Sequence, residues 1–253
     1  MCADVRVCPR SAYNATQVSS GGMSGNAFEN VNRYFDTAAK VLGLSKAEAR
    51  ERALALFEEV GIPSPAERLR QFPHELSGGQ RQRVVIALAL ACDPELLIAD
   101  EPTTALDANV ALRIIDLLVR LAEERQMALL FISHDLAAVA RATRDIVVMY
   151  GGDIVERGPT AEVLTSPRHP YTQGLLGARP NPVAEPRGAD GKRPRLPTIP
   201  GSVPTLQDLP SGCRFSGRCP VELPVCAGTR PGSTLISATR LANCHALKQE
   251  VSA

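Results

Sequence analysis

Residues 45–133 contain apolar stretches of two kinds, long ones with helical spacing and short ones with the length of strands. Residues 45–60 place apolar side chains at helical spacing behind a Ser-x-x-Glu capping box, and residues 84–91 are apolar all round a helix predicted from Gly79 to about residue 91. Two shorter runs, 96–99 and 128–132, have the length of buried strands. Short apolar strands that alternate with helices predict a parallel sheet covered by helices, which is an α/β fold.

One more helix is predicted within this region, and the hydrophobic pattern before and after the region is less regular. A long helix from residue 108 to about 126 is predicted between the two strands, and residues 146–156 read as a hairpin around Gly151-Gly152. Residues 14–26 are rich in Ser, Gly and Asn and predict a loop or disorder, while residues 179–210 are rich in Pro, Arg and Gly and predict an irregular linker.

Composition narrows the class of protein only a little. The chain has 253 residues, 44% of them hydrophobic, and a net charge of +1, so bulk charge gives no reason to expect a nucleic-acid partner. No apolar run reaches the eighteen or so residues that span a bilayer. We divide the chain into a disordered or unrelated leader (1–30), a helical segment (31–95), an α/β core (96–158) and a C-terminal region (159–253).

A candidate anion site lies at the start of the second helix. Ser77 can cap this helix, and Gln80 stands at the spacing of a capping box. Gly78 and Gly79 leave the backbone bare, so that N–H groups and the positive end of the helix dipole can approach a phosphate.

Two acids follow the first predicted strand. Asp100 and Glu101 come at its C-terminal end, which is where α/β folds place ligands. One carboxylate can hold Mg²⁺ while its neighbour polarises a water molecule.

These residues resemble the motifs of ABC transporter ATPases. Residues 76–80, Leu-Ser-Gly-Gly-Gln, match the signature motif, and residues 96–101 resemble the Walker B strand with its catalytic Glu. Residues 105–107 resemble the D-loop, which ends at Asp107, and His134 stands where the family has its switch histidine. The fold implied is a partial ABC-type P-loop ATPase domain, with a helical subdomain at 31–95, a parallel-sheet core and an irregular, Cys-rich tail.

The resemblance also implies what each residue does. Ser77, Gly78, Gly79 and Gln80 would bind the ATP held by a second subunit, and Asp100 would bind Mg²⁺. Glu101 would activate the attacking water, His134 would contact the γ-phosphate, and Asp107 would lie at the seam between subunits.

The family's phosphate loop is missing from the 253 residues. No Gly-x-x-Gly-x-Gly-Lys-Ser/Thr motif precedes Ser77, and the Gly-rich stretch 20–25 has no Lys. We therefore expect an N-terminally truncated ATPase that is inactive alone. The alternative function is a non-catalytic half-site or an inert fragment.

The region after residue 159 narrows the resemblance. Residues 169–176 and 199–204 are similar to the tail of ATPases that drive oligopeptide and dipeptide importers. This implies an ATP-hydrolysing subunit of such an importer at the cytoplasmic face of the plasma membrane. It also implies a second ATPase subunit, transmembrane permease subunits and, indirectly, a peptide-binding protein as partners.

Four cysteines lie in the last forty-one residues: Cys213, Cys219, Cys226 and Cys244. A chain inside the cell should not hold structural disulfides, so the four can ligate an Fe–S cluster or Zn²⁺, or remain free thiols. The lack of a Cys-x-x-Cys pair weakens zinc, and the resemblance to peptide-importer ATPases implies a [4Fe–4S] cluster.

Overall fold

The structure, a computed structural model, describes residues 15–19, 30–179, 197–205 and 207–250. The Gly-rich stretch 20–25, most of the predicted leader and much of the predicted linker lie outside these residues. The chain divides into two compact units, residues 1–142 and 143–253.

The first unit contains a parallel sheet, as the sequence predicts. Its strands are β1 (Ala15–Ser19), β2 (Leu96–Asp100) and β3 (Ala128–Ile132), and they lie in that order. The register pairs Ser19 with Asp100 and Asp100 with Ile132, so three strands end together beside the acids. The expectation of a loop over 14–26 is wrong for β1, because that short strand pairs with β2, which lies far away in the sequence.

β3 also differs from its prediction as a buried strand. Only Phe131 is buried, while Leu130 is 48% exposed and Ile132 is 43% exposed. The physical reason is the position of β3, which has a neighbour on one side only within the described sheet. An apolar run therefore predicted the strand correctly and its burial incorrectly.

Helices surround this sheet: α1 (Val31–Leu42), α2 (Lys46–Glu59), α3 (Pro65–Arg68), a 3₁₀ turn (Pro73–Glu75), α4 (Gly78–Leu90), α5 (Ala108–Glu124) and α6 (Leu136–Ala142). Residues 84–90 of α4 are all buried, so the all-round apolar helix is the buried one, as predicted. Ile114 and Leu118 of α5 are fully buried too. α4 is therefore a fixed core element that carries the candidate anion site at its start.

Ion pairs hold the ends of these helices. Arg125 donates to both carboxylate oxygens of Glu59, at 2.7 and 2.6 Å, and the pair is about three-quarters buried. Arg52 donates to the carbonyl of Ala91 at 2.7 Å and pairs with Asp93, just beyond the end of α4. α2, α4 and α5 are thus fastened together at the end of α4 opposite its candidate site.

The second unit is built on an antiparallel sheet of four strands in the order β4 (Asp145–Tyr150), β5 (Asp153–Pro159), β7 (Arg240–Ala242) and β6 (Thr234–Ser237). β4 and β5 form the predicted hairpin, and β5 then pairs with β7. Its helices are α7 (Thr160–Thr165), α8 (Pro170–Gly177), a 3₁₀ turn (Pro224–Ala227) and α9 (His245–Glu250). The expectation of a wholly irregular tail is wrong, because β6 and β7 join the sheet.

Two buried features hold the second unit together. The Glu156 carboxylate is fully buried and accepts from Arg240 at 2.7 Å and from the N–H groups of Arg168 and His169 at 3.0 Å each. Phe215 packs edge-on against Tyr150, with ring centroids 5.2 Å apart. The loop that carries two of the cysteines is therefore anchored to the sheet by an aromatic contact.

Candidate functional site

The start of α4 has the predicted capping box. The Ser77 hydroxyl accepts from the N–H of Gln80 at 3.3 Å, and the Gln80 side-chain oxygen accepts from the N–H of Ser77 at 3.0 Å. The first N–H groups of a helix have no acceptor within it, so those of Gly78 and Gly79 are available to a ligand. The first turn of α4 has no acidic residue, and Ser77 is exposed. This helix start can therefore receive an anion.

The two glycines have a second reason to be glycine, which the sequence did not indicate. A Cβ added at Gly79 would lie 2.8 Å from Val110 Cγ1, and one at Gly78 would lie 3.2 Å from Leu106 Cδ2. α4 therefore begins in close contact with the first turn of α5 and with Leu106, which precedes the N-cap residue of α5. Asp107 caps α5, because its carboxylate accepts from the N–H of Val110 at 3.0 Å.

The two acids take different directions at the end of β2. Asp100 is the last residue of the strand, and Glu101 leaves it with a φ of +49°, in the left-handed region that a residue with a side chain seldom adopts. The Glu101 N–H still donates to the carbonyl of Ile132 at 2.9 Å. Such local strain is common at functional sites, and here it turns the Glu101 side chain away from the strand.

Glu101 and His134 are in contact at the ends of β2 and β3. The His134 Nδ1 lies 2.7 Å from Glu101 Oε1, and the His134 backbone N–H donates to the same oxygen at 3.1 Å. The other oxygen, Oε2, accepts from the Thr104 hydroxyl at 3.1 Å. Thr104 is a contact that sequence reasoning missed; its position three residues after Glu101 was the only available signal.

The pair shifts the pKa of both partners. Partial burial acts to raise the pKa of Glu101, but hydrogen bonds from His134 and Thr104 outweigh it and hold that pKa below its usual value. The hydrogen bond to Glu101, with the charge of that carboxylate, raises the pKa of His134. The His134 side chain is 83% exposed, so the pair contributes little to stability. What it does is fix the direction of the Glu101 carboxylate.

We expect Glu101→Gln to lower the pKa of His134 towards that of an ordinary histidine, because it removes the charge and the acceptor that raise it. A ¹H–¹⁵N NMR titration of the imidazole would measure this change. Asp135→Asn is the matched control, since Asp135 is only the smallest cause of the shift. An unchanged His134 pKa in Glu101→Gln would contradict the pairing.

The four cysteines are gathered in the second unit. Cys226 and Cys244 are buried, and Cys213 and Cys219 are half-buried. Burial raises the pKa of the Cys213 thiol, and the nearby thiols of Cys226 and Cys244 raise it further. Burial raises the pKa of Cys219 to about 11, with added effects from the other three thiols. Cys213 and Cys219 therefore both lie within electrostatic reach of Cys226 and Cys244.

Backbone contacts bring these thiols together. The Cys213 N–H donates to the carbonyl of Cys226 at 2.8 Å, and a Cβ added at Gly212 would lie only 2.2 Å from the Cys226 oxygen. Gly212 is thus required by the close approach of two loops. The backbone N–H of Asn243 donates to Val155 at 2.8 Å, which holds Cys244 beside β5.

Two further findings bear on a metal site there. Within the described residues, no three His, Cys, Asp or Glu side chains are grouped so as to hold a metal ion. Arg214 and Arg218 lie next to the cysteines in the sequence and could offset the charge of thiolates, but they have other partners. Arg214 donates to the carbonyl of Pro210 at 2.6 Å, and Arg218 donates to the Tyr150 hydroxyl at 2.8 Å and to Pro200 at 2.7 Å.

Two family models match the chain. Residues 10–104 match the ABC transporter family, and residues 155–226 match the C-terminal region of the oligopeptide/dipeptide transporter family. The first match begins within the predicted leader and includes β1, so part of that leader is not unrelated sequence.

Curated relatives agree with these matches. The dipeptide transport ATP-binding protein DppD of Escherichia coli K12 is 46% identical over 203 residues, which are 80% of this chain and 60% of that protein. A putative peptide import ATP-binding protein of Brucella melitensis is 49% identical over 189 residues, 75% of this chain and 56% of that protein. The chain thus spans about 60% of the length of these relatives.

Solved structures share the fold. The cbiO1 protein of Clostridium perfringens, part of the ABC transporter complex cbiONQ, aligns with a TM-score of 0.53 at 27% identity, over 60% of this chain and 59% of that one. A putative metal-chelate type ABC transporter in an inward-facing conformation aligns at 0.55 and 22% identity, over 64% of this chain and 62% of that one; at that identity only the fold is shared.

Proposed function

Because this chain belongs to the ABC transporter ATP-binding proteins, with the C-terminal region of the oligopeptide/dipeptide branch, we propose that it is an ATPase subunit of a peptide importer. The observation that carries the proposal is the start of α4, where Ser77 caps a buried helix that has no acid in its first turn. This region would close on ATP that a second subunit holds in its own phosphate loop.

In this role the signature acts in trans. The Ser77 hydroxyl and the N–H groups of Gly78 and Gly79 would donate to the γ-phosphate, while Gln80 keeps the helix start in shape. Donors fixed in place before the nucleotide arrives stabilise developing charge without reorganising. The close packing of Gly79 on Val110 supports this, because it makes the helix start rigid.

On the chain's own side, the acids and the histidine would act on ATP only when a phosphate loop holds the nucleotide there. Asp100 would hold Mg²⁺, directly or through water, and the end of a strand is a suitable place for such a carboxylate. When bound, the ion would offset the charge of the phosphates. Glu101 would accept a hydrogen bond from the attacking water and polarise it, with the carboxylate aimed by His134 and Thr104. His134, highly exposed, would contact the γ-phosphate.

We expect the 253-residue chain alone to bind ATP weakly and to hydrolyse almost none, because its sequence lacks the Gly-rich loop and Lys that bind phosphates. Calorimetry with Mg²⁺–ATP would measure the affinity. A dissociation constant in the low micromolar range, together with Mg²⁺-dependent turnover, would refute this and support a complete site in cis. If the chain alone bound ATP weakly but hydrolysis appeared when a second subunit was added, the result would support a role for the signature in trans.

We propose in addition that Cys213, Cys219, Cys226 and Cys244 ligate one [4Fe–4S] cluster. The electrostatic interaction among all four thiols supports the proposal, as does the approach of the Cys213 and Cys226 backbones. Within the described residues the four thiols are not grouped as ligands of a metal ion, so the choice of a cluster rests on the resemblance of this tail to peptide-importer ATPases. The cluster would join the 213–226 segment to Cys244, two residues after β7.

The partners follow from the family. We propose that the chain pairs with a second ATPase subunit, and that transmembrane permease subunits, served by a peptide-binding protein, use the ATP hydrolysis. In the described part of the chain, no helix has the length and apolar character needed to cross a bilayer. The chain would therefore reach the cytoplasmic face of the membrane through its permease partners.

A further inference from the structure

A cavity of about 310 Å³ lies in the second unit. Its wall includes the turn between β4 and β5, the start of β5, the 213–215 loop and the 230–231 segment. This volume is at the lower end of the range for small-molecule sites. Of the four cysteines only Cys213 lines it, so the cavity is not the space between the thiols.

Two buried polar atoms of lining residues lack hydrogen-bond partners among the described residues. One is a donor, Arg214 Nε, which lies 3.5 Å from Asp153 Oδ2 without making a hydrogen bond. The other is an acceptor, Asn243 Oδ1, whose companion Nδ2 donates to the carbonyl of Ile154 at 2.7 Å. A buried polar atom left unpaired destabilises the protein, so a donor and an acceptor in one wall call for a ligand that has both.

The charges of the wall are also mixed. Arg230 lies 3.5 Å from Asp153 Oδ1, and its side chain is 53% exposed, so its guanidinium stands at the rim. His169 lines the cavity as well; burial lowers its pKa to about 4, and its Nδ1 accepts from the Tyr171 N–H at 3.0 Å. The neutral ring therefore carries its proton on Nε2 and is a third donor. Two guanidiniums, one carboxylate and one amide oxygen make a site with both signs of charge.

We propose that this cavity binds a short zwitterion, an amino acid or a dipeptide. Its carboxylate pairs with Arg214 and Arg230, and its ammonium group pairs with Asp153 and the free oxygen of Asn243. Both ends of such a ligand find partners that the protein leaves weakly paired or unpaired. A simple anion would leave Asn243 Oδ1 unsatisfied and would face the Asp153 carboxylate. This proposal does not depend on ATP or on the signature helix.

The test is calorimetry on the full chain, purified with whatever metal it carries and titrated without ATP. Three probes are compared: L-alanine, L-alanyl-L-alanine, and the same dipeptide acetylated at its N-terminus and amidated at its C-terminus. We expect one of the two zwitterions to bind with a dissociation constant below about 1 mM, and the blocked dipeptide to bind at least about tenfold more weakly. The better of the two zwitterions identifies the ligand class.

A matched pair of variants places the binding in the cavity. Arg230→Gln removes the exposed guanidinium at the rim and should weaken binding about tenfold. Arg157→Gln removes an exposed arginine of β5 that does not line the cavity and should leave binding within about twofold. The proposal is overturned if no saturable heat appears at about 10 mM ligand, if the blocked dipeptide binds equally well, or if the two variants behave alike. A cavity that holds only water would give the first of these results.

Discussion

Ser77→Arg is expected to abolish the help that this chain gives to a second ATPase subunit. We consider the wild-type chain mixed with a subunit of the same importer that has an intact phosphate loop, with ATP turnover measured in the mixture. The substitution replaces a small donor by a bulky side chain at a helix start that must meet the γ-phosphate. We expect turnover at the shared site to fall by about two orders of magnitude, the usual effect of losing one preorganised donor.

The chain contains a close control for this substitution. Ser45 caps α2 with the same capping box, since its hydroxyl accepts from the Glu48 N–H at 3.3 Å and its own N–H donates to Glu48 at 2.8 Å. Losing either cap should cost about 1 kcal/mol of stability. The two helix starts differ in charge, because α2 has Glu48 in its first turn and α4 has no acid there. Ser45→Arg should therefore destabilise the protein to a similar degree and leave turnover nearly unchanged.

Two outcomes would contradict the role of the signature. If Ser77→Arg left turnover within about threefold of the wild-type mixture, Ser77 would not meet the phosphate. If both variants lowered turnover equally, loss of helix stability would explain the effect and the phosphate contact would not be needed. A wild-type chain that stimulated no partner would refute the proposed action in trans itself.

The parts of the site that the sequence predicted are those governed by short-range rules. The capping box of Ser77 and Gln80 is a matter of three residues, and the placement of Asp100 and Glu101 follows from a run of apolar residues that must be a strand. His134 could be placed beside Glu101 because both follow parallel strands, whose carboxyl ends share one edge of the sheet. The 2.7 Å contact between them bears this geometry out.

What the sequence missed depends on contacts between distant segments. β1 is five residues long, lies in a Ser- and Gly-rich region, and exists as a strand because β2 pairs with it. β7 is only three residues long and pairs with β5 more than eighty residues earlier. Neither segment has enough apolar residues to be predicted as a strand from its own sequence. Each is stabilised by a partner strand that lies elsewhere in the chain. The sequence predicted that Gly79 leaves the backbone open to a phosphate, but it did not predict the close contact with Val110. That contact could not be read from the sequence because Val110 belongs to another helix.

The burial of β3 also could not be predicted from its own residues. Its apolar residues predicted a buried strand, yet Leu130 and Ile132 are exposed. The hydrophobic pattern indicates which side chains are apolar enough to be buried in a sheet. Whether they are buried depends on the elements that pack against the strand, and β3 has a neighbouring strand on one side only within the described sheet. Pattern and burial therefore answer different questions at the edge of a sheet.

The largest effect expected in the second unit is the loss of a metal group on Cys219→Ser. Wild-type protein purified without oxygen should be brown, absorb broadly near about 400 nm, and contain about four iron and four sulfide per chain. Cys219→Ser removes one of the four proposed ligands and should bleach most of this colour. Since binding of a metal group to a loop-rich segment contributes directly to its folding, the 213–244 region should also become more sensitive to protease.

Cys92→Ser is the control, because Cys92 is a buried cysteine of the first unit, just beyond the end of α4. It should keep the colour, the iron and the protease resistance. Colourless anaerobic protein with stoichiometric zinc would assign the site to zinc, and metal-free protein with four freely titratable thiols would remove the metal hypothesis. The structure gives a reason to expect more than free thiols. Cys213 and Cys219, on one loop, lie within electrostatic reach of Cys226 and Cys244, and Gly212 is required so that the backbone before Cys213 can approach Cys226. A group that binds all four thiols would hold these loops to β7, a strand too short to hold them alone.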